Sequence, residues 1–408
     1  MLAGGGMAAA RRALLVAFAL GLGFSITLAQ AALTLLTLLW LGRLCGRETR
    51  EAVRWPLWRP VLAFGAVSVT SALFAAHPGA GLVASKKLLL VAALYVSADE
   101  LDSTERASRF LSLLALAVAG AAVVGLLQVS LCPGPEADYG TPAWLYHRCA
   151  RARGFFSSYM TLAGVLSLTL LVSLPRLLLG TTFRPWFAFQ WFVSLAGLAA
   201  TYTRGAWIGF AAGVLALGPV MRRRRGLLAA GFLVVGVVVM AGPQHLRERV
   251  VTMTDLDDVT VKERIYMWRS GIAMWREHPW LGVGPGGVKR ESRNYAQPEA
   301  LMKRTGHLHN SPLQILVELG VAGLLAWLWI WAAFFTEAAR LLRRLPAAAT
   351  RERALVAGSI AAVTGFLVAG TAEHNFGDSE VAMLAWVIVA LPYVVARGGP
   401  VALVKGVP

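Results

Sequence analysis

"LLVAFALGLGFSITLAQAALTLLTLLWLG", Leu14 to Gly42, holds no charged side chain from end to end. It shows no period-2 alternation, so it reads as helix rather than barrel strand. One helical crossing of a bilayer needs about 20 apolar residues. The run is too long for one crossing, and Gly21, Gly23 and Ser25 supply the break into two. Its length, and the lack of a small-residue cleavage site with a mature domain behind it, argue against a cleavable signal.

The rest of the 408 residues follows the same pattern: 57% are hydrophobic and mean hydropathy is +0.61. Soluble domains rarely exceed half apolar. Apolar runs fall near 13–25, 27–42, 60–76, 82–98, 108–131, 157–180, 186–202, 205–220, 226–242, 313–336, 354–372 and 380–396. The expected fold is therefore all-α, a polytopic membrane protein of about twelve transmembrane helices. Residues 1–408 form a single membrane domain, with no internal repeat. One large loop, 243–312, is inserted in it and contains amphipathic helix.

Lys and Arg number 39 against 22 Asp and Glu, a net charge of +17. In a soluble chain that excess would suggest nucleic acid. Here the basic residues cluster between spans, in "GRLCGRETREAVRWPLWRP" (Gly42–Pro60), "MRRRRG" (Met221–Gly226) and "ARLLRRLPAAATRER" (Ala339–Arg353). Counting spans puts all three on one side, as the positive-inside rule requires of the cytoplasm. Both termini of this inner-membrane-type protein then lie on the cytoplasmic side, and nucleic-acid binding is not needed to explain the charge. Four segments fall outside: 131–154, "TYTRGAW" (Thr201–Trp207), the large loop, and "AEHNFGDSE" (Ala372–Glu380). Cys132 and Cys149 share the first of these, where a disulfide is permitted, though two free thiols fit as well.

Basic residues in outer segments run against the topological bias and need another reason. Arg204, in the short turn, either snorkels to the surface or holds a phosphate at headgroup depth. Arg264 sits in "KERIYMWRSGIAMWREHPW" (Lys262–Trp280). At about 100° per residue, Ile265, Met267, Trp268, Gly271, Ile272, Met274 and Trp275 form one arc. Lys262, Glu263, Arg269, Arg276 and Glu277 face the other way, while Arg264 falls within the apolar arc. A charge there needs a partner, either a carboxylate or an anionic substrate. The "GVGPGG" that follows (Gly282–Gly287) fits neither phosphate-binding glycine motif, so it reads as a turn.

"GHLHNSPLQILVELG" (Gly306–Gly320) carries His307, His309 and Asn310 where the loop re-enters the membrane. The imidazoles are packed core groups, metal ligands, or a base at the bilayer surface. No HExxH or DxD motif accompanies them, which disfavours a metal. Imidazole titrates near neutrality and suits deprotonation of a hydroxyl. Glu373, His374, Asp378 and Glu380 in the last outer segment either pair with the outer arginines or stay solvated. Arg151 and Arg153 add outer positive charge.

Together these pieces resemble the O-antigen ligase family, which also includes O-antigen polymerases and related surface-polysaccharide enzymes. The resemblance rests on "RARGFF" (Arg151–Phe156), "TRGAW" (Thr203–Trp207), the "R…W…HPWLGVGPGG" of the large loop and "HLHNSPLQILVELGVAG" (His307–Gly323). It runs from about Arg151 to the end of the chain, with the last piece the most specific. It implies an essential arginine and histidine in the large loop and a further arginine in the short turn. By position these are Arg264, His309 and Arg204, with His307 an alternative to His309. The remaining outer polar groups, Arg153, His307, Asn310, Arg269, Glu373 and Asp378, are the expected substrate-binding residues.

The resemblance further implies a glycosyltransferase that uses neither metal nor cofactor. It would move a glycan from undecaprenyl diphosphate to lipid A–core on the periplasmic side, with inversion. A polymerase using the same donor, a protein glycosyltransferase and a lipid-linked oligosaccharide transporter are the alternatives. The absence of internal repeats counts against the transporter.

Overall fold

A computed structural model describes residues 2–46, 53–132, 149–181, 185–221 and 258–398. Among these residues the regular structure is entirely helical. The opening run divides where its small residues stand: α1 is Leu2–Phe24, α2 is Ile26–Leu44, and the Ser25 side chain caps α2 by accepting from the Leu28 amide. Then follow α3 (Trp58–Phe74), α4 (Pro78–Ala84), a 3-10 segment (Ser85–Val91), α5 (Ala92–Glu100) and α6 (Thr104–Ser130). Next come α7 (Tyr159–Leu178), α8 (Pro185–Ala200), α9 (Arg204–Ala216), α10 (Val259–Glu277) and α11 (Gly287–Glu291). The chain closes with α12 (Ser311–Arg344), α13 (Thr350–Ala369) and α14 (Ser379–Gly398).

By length and composition, eight segments among the described residues are fit to cross a membrane, rather than twelve. They are Gly6–Phe24, Ile26–Leu44, Pro78–Glu100, Thr104–Ser130, Tyr159–Leu178, Ser311–Arg344, Thr350–Ala369 and Ser379–Arg397. The expected runs at 60–76, 186–202 and 205–220 form helices of 17, 16 and 13 residues. The first two are cut short at their C-terminal ends, at Phe74 and Ala200; the third breaks into turn after Ala216. The run at 226–242 and the start of the large loop lie outside the described residues. Phe74, Leu89, Phe192, Leu215 and Leu325 keep more than half their surface exposed. Lipid, not water, makes such a surface stable. Small residues let helices meet: a Cβ built on Gly209 of α9 would lie 2.4 Å from the Gly365 carbonyl of α13.

One long helix is broken, and the break shapes the large loop that precedes it. Within α12, Gly320 takes φ 66°, ψ −169°, a conformation open to glycine. The freed carbonyls find new donors, as buried backbone must. Val283 N donates to Val317 O at 3.0 Å and Gly284 N to Glu318 O at 2.9 Å. Val321 N reaches back to Pro279 O at 2.9 Å, and the Ser71 hydroxyl of α3 donates to Leu281 O and Glu318 O. Residues 278–287 therefore form a clamp on the helix break. This accounts for the alternating glycines, since Gly282, Gly284 and Gly286 all have positive φ.

The loop's own small core consists of Met267, Met274, Val288, Leu308 and Val317. The buried stripe of α10 is Glu263, Met267, Ser270, Gly271 and Met274. Glu263 is thus on the buried face, not the polar one expected, and Ile272 is exposed. The reason is tertiary: the Glu263 carboxylate accepts the amides of Leu301 (2.9 Å) and Met302 (3.0 Å), tying down the turn that leads to the histidines. Cys132 and Cys149 are joined as a disulfide, with Cα atoms 5.3 Å apart.

Candidate functional site

The pieces singled out in the sequence converge at one end of the bundle. Asn310 begins α12 as its N-cap, its side-chain oxygen accepting from Leu313 N at 2.9 Å, and Pro312 follows where a missing N–H costs nothing. Ser311 stitches this start to the segment between α13 and α14. Its amide donates to Gly370 O, and its hydroxyl donates to Glu373 O (3.1 Å) and to Asn375 Oδ1 (3.0 Å). Phe376 anchors that second segment, with ring contacts to Phe64, Trp327, Trp331, Phe366 and Trp386 at 6.0–6.4 Å. Each such pair adds about 0.5–1.5 kcal/mol beyond area burial.

Glu373 is the centre. One carboxylate oxygen accepts from Arg264 Nη2 at 2.7 Å, and the other lies 3.2 Å from His309 Nδ1. A carboxylate on Nδ1 keeps the proton there and leaves Nε2 as the open acceptor. The Arg264 side chain remains 28% exposed and His309 18%, so both can be reached. Arg204 opens α9 and pairs with Asp258, the N-cap of α10, at 3.2 Å. The Thr260 hydroxyl and amide, and after them the Arg204 guanidinium, hold the Asp258 carboxyl below its usual value against the opposing effect of burial. The turn bearing Arg204 rests on Glu373: a Cβ added to Gly205 would lie 3.3 Å from Glu373 Cγ.

His309 holds φ 48°, a left-handed conformation uncommon outside glycine. Such a backbone costs on the order of 1–3 kcal/mol and persists only where the surroundings enforce it. Here they do. Leu308 is fully buried between the two histidines, its carbonyl accepts from Trp268 Nε1 (2.8 Å), and its amide donates to Gln314 (2.8 Å).

Three imidazoles stand together. The His307 ring is 4.2 Å from His309 and 5.5 Å from His374. His307 is pushed down to about 4, mainly by burial; the charges of His309, Lys87 and Arg264 add to this and Glu373 opposes it. Burial, with His307, Lys87 and His309, pushes His374 down to about 3. Both are neutral at pH 7, and His307 is a weak proton acceptor.

Of the other expected binding residues, Asp378 accepts from Thr161 of α7 at 2.6 Å and helps to start α14. Arg153 donates to the Ser157 carbonyl beside the disulfide segment, away from the Glu373 contacts. Arg269 lies on the exposed face of α10 and has no contact with the cluster. Among the described residues no three His, Cys, Asp or Glu groups come together as a metal set.

Lys87 is a member the sequence reading passed over. It comes from the 3-10 segment inside Pro78–Glu100, donates to Gly377 O, and its charge is felt at His307 and His374. The signal was present: an ionisable residue inside an apolar run is by default a functional candidate. Glu318 was missed too. It accepts from Gln314 Nε2 at 2.9 Å and from the amides of Gly286 and Val288, joining the clamp to the histidine loop.

Residues 189–328 match the model of a family described as O-antigen ligase. A protein of Pseudomonas aeruginosa (strain PAO1) named O-antigen ligase is 26% identical over 204 residues, 48% of this chain and 44% of that protein. The chain thus aligns with less than half the length of this relative. The matched family region contains Arg204, Arg264, His307 and His309; Lys87, Glu373 and Asp378 come from outside it.

Proposed function

From the match of residues 189–328 to the O-antigen ligase family model and the likeness to a protein named O-antigen ligase, we propose that this protein is a membrane glycosyltransferase. It moves a glycan from undecaprenyl diphosphate to lipid A–core on the periplasmic side. The observation that carries the mechanism is the bridging of Arg264 and His309 by Glu373. One carboxylate fixes both a permanent cation and an imidazole whose Nε2 is left to accept a proton.

The donor's isoprenoid tail lies in the bilayer, and its diphosphate sits at the end of the bundle beside Arg204 and Arg264. A guanidinium suits this task, being always charged and able to bind phosphate through two nitrogens. Lys87 adds a third positive charge. A hydroxyl of the acceptor sugar gives its proton to His309 Nε2 while its oxygen attacks the anomeric carbon from the face opposite the diphosphate. The bond between that carbon and the phosphate oxygen breaks, and its electron pair leaves with undecaprenyl diphosphate. The sugar is inverted. The cations stabilise the charge that develops on the leaving group. His309 serves as the base rather than His307, because burial and its cationic neighbours hold His307 near 4. No step in this scheme calls for a metal.

The test is reconstitution of the purified protein with undecaprenyl-diphosphate glycan and lipid A–core, in EDTA and without nucleotide. Glycan joined to lipid A–core is the expected product. A longer glycan still on undecaprenyl diphosphate would replace the ligase reading with a polymerase. Loss of product on chelation would overturn the metal-free scheme.

A further inference from the structure

The opposite end of the bundle holds a second charged site that the transfer reaction does not use. The span Ser379–Arg397 starts beside Asp378 and ends, at 1.5 Å per residue, about 27 Å away. There Arg397 meets α1, α2, α5 and the start of α6 around a cavity of about 230 Å³. Arg11, Arg12, Arg43, Arg106 and Arg397 line it, with Asp99, Glu100 and Asp102.

The two inner carboxylates are buried and fully engaged. Glu100 accepts from Arg11 Nε at 2.8 and 2.9 Å and from Arg43 Nη1 at 3.3 Å. Asp99 accepts from Arg43 Nη1 and Arg397 Nη1, both at 2.8 Å. Arg106 pairs with Asp102 at 2.6 Å. Five arginines against three carboxylates leave two positive charges in excess around this space among the described residues. Arg12 meets no carboxylate among the described residues; its Nε reaches only the Ala8 carbonyl at 3.3 Å. The volume far exceeds the roughly 10–15 Å³ that one water needs. On the apolar side of Arg12 and Arg43, α1 and α2 carry exposed apolar side chains, Val16 on one, Leu38 and Leu41 on the other.

We propose that this cavity binds the phosphate of an anionic phospholipid, with the acyl chains lying along the exposed apolar residues of α1 and α2. The chemistry is that of basic pockets between membrane helices, where arginines pair with headgroup phosphate. The buried Asp99 and Glu100 splay the arginines apart and fix their positions. Arg12 supplies the cation left for the ligand. The lipid would join α1 and α2 to the ends of α5 and α14.

The experiment uses the full chain, delipidated in neutral detergent and titrated with phosphatidylglycerol, phosphatidylcholine or inorganic phosphate. Retained lipid is counted by native mass spectrometry, and the thermal midpoint is followed. Phosphatidylglycerol should be retained and raise the midpoint, and phosphatidylcholine should do neither. Arg12→Gln should weaken phosphatidylglycerol retention at least fivefold while leaving every carboxylate paired, so the fold is kept. Arg344→Gln, a basic residue outside the cavity, should leave retention unchanged. Equal retention of the two lipids, or equal loss in both variants, would overturn the proposal. Full stabilisation by inorganic phosphate would show a phosphate site with no part for the lipid, and would overturn it as well.

Discussion

The two ends of the bundle both gather arginines around carboxylates, yet the carboxylates do different work. At the far end Asp99 and Glu100 each face two guanidinium groups, all permanently charged, and neither residue has a positive φ. At the near end Glu373 divides its two oxygens between a permanent cation, Arg264, and a titratable imidazole, His309, held in a strained conformation. The first arrangement is saturated and suited to fixing helix ends. The second leaves an imidazole nitrogen and a partly exposed guanidinium open to a substrate. A salt bridge alone does not distinguish them; the kind of partner and the strain around it do.

The largest effect expected of any variant that breaks this contrast is at the near end. Arg264→Ala should lower transfer by about 10²–10³-fold, the usual cost of removing a donor from a developing negative charge. Arg264→Lys should restore it only in part, since an ammonium lacks the planar fork. Equal rates for the lysine variant and wild type would reduce Arg264 to a simple charge. At the far end, Glu100→Gln should instead cost stability, about 3 kcal/mol. That is the low end for a broken buried pair, because Arg11 and Arg43 are partly exposed. Chemical or thermal unfolding measures this loss, and the folded fraction should transfer glycan at the wild-type rate.

Gly320→Ala tests the clamp between α12 and the large loop. The added Cβ would lie 2.1 Å from the Trp280 carbonyl, at a positive φ. A cost of roughly 1–3 kcal/mol follows, together with faster proteolysis of the large loop. An unchanged melting profile would mean that the break is not needed.

A further expected outcome at the near end is a pH dependence of stability. An unfolded histidine titrates near 6.5, whereas folded His307 is held at about 4 and His374 at about 3. Between those values the unfolded chain binds more protons. Stability should therefore fall as pH drops from about 6.5 towards 4 and, through His374, towards 3. Thermal midpoints across this range, compared with those of His307→Gln, measure the difference. A slope that survives in full in His307→Gln would remove that residue from the account.

Much of this was written in the sequence. Apolar runs gave the helices, and Gly21 to Ser25 marked the first break to within a residue of its place. Asn310, Ser311 and Pro312 together spell a helix start. Arg204, Arg264 and His309 stood out as polar groups at membrane edges, and Arg264 was seen to need a partner. What stayed hidden depended on distant contacts. Periodicity set Glu263 on the polar face of its helix because it cannot register two amides supplied by residues 301 and 302. A continuous run at 313–336 gave no sign that the helix parts at Gly320, since the donors that replace its bonds lie some 35 residues upstream. Lys87 was absorbed into an apolar span, although the cost of a charge there was the clue.

If His309 takes the proton in glycan transfer, His309→Asn should stop the reaction without unfolding the protein. Asparagine tolerates the left-handed backbone at this position and cannot act as a base near neutrality. The measurement is the rate at which the reconstituted variant joins undecaprenyl-linked glycan to lipid A–core, alongside its thermal midpoint. Transfer should fall by about 10²–10⁴-fold with the midpoint unchanged. Transfer at the wild-type rate would contradict it.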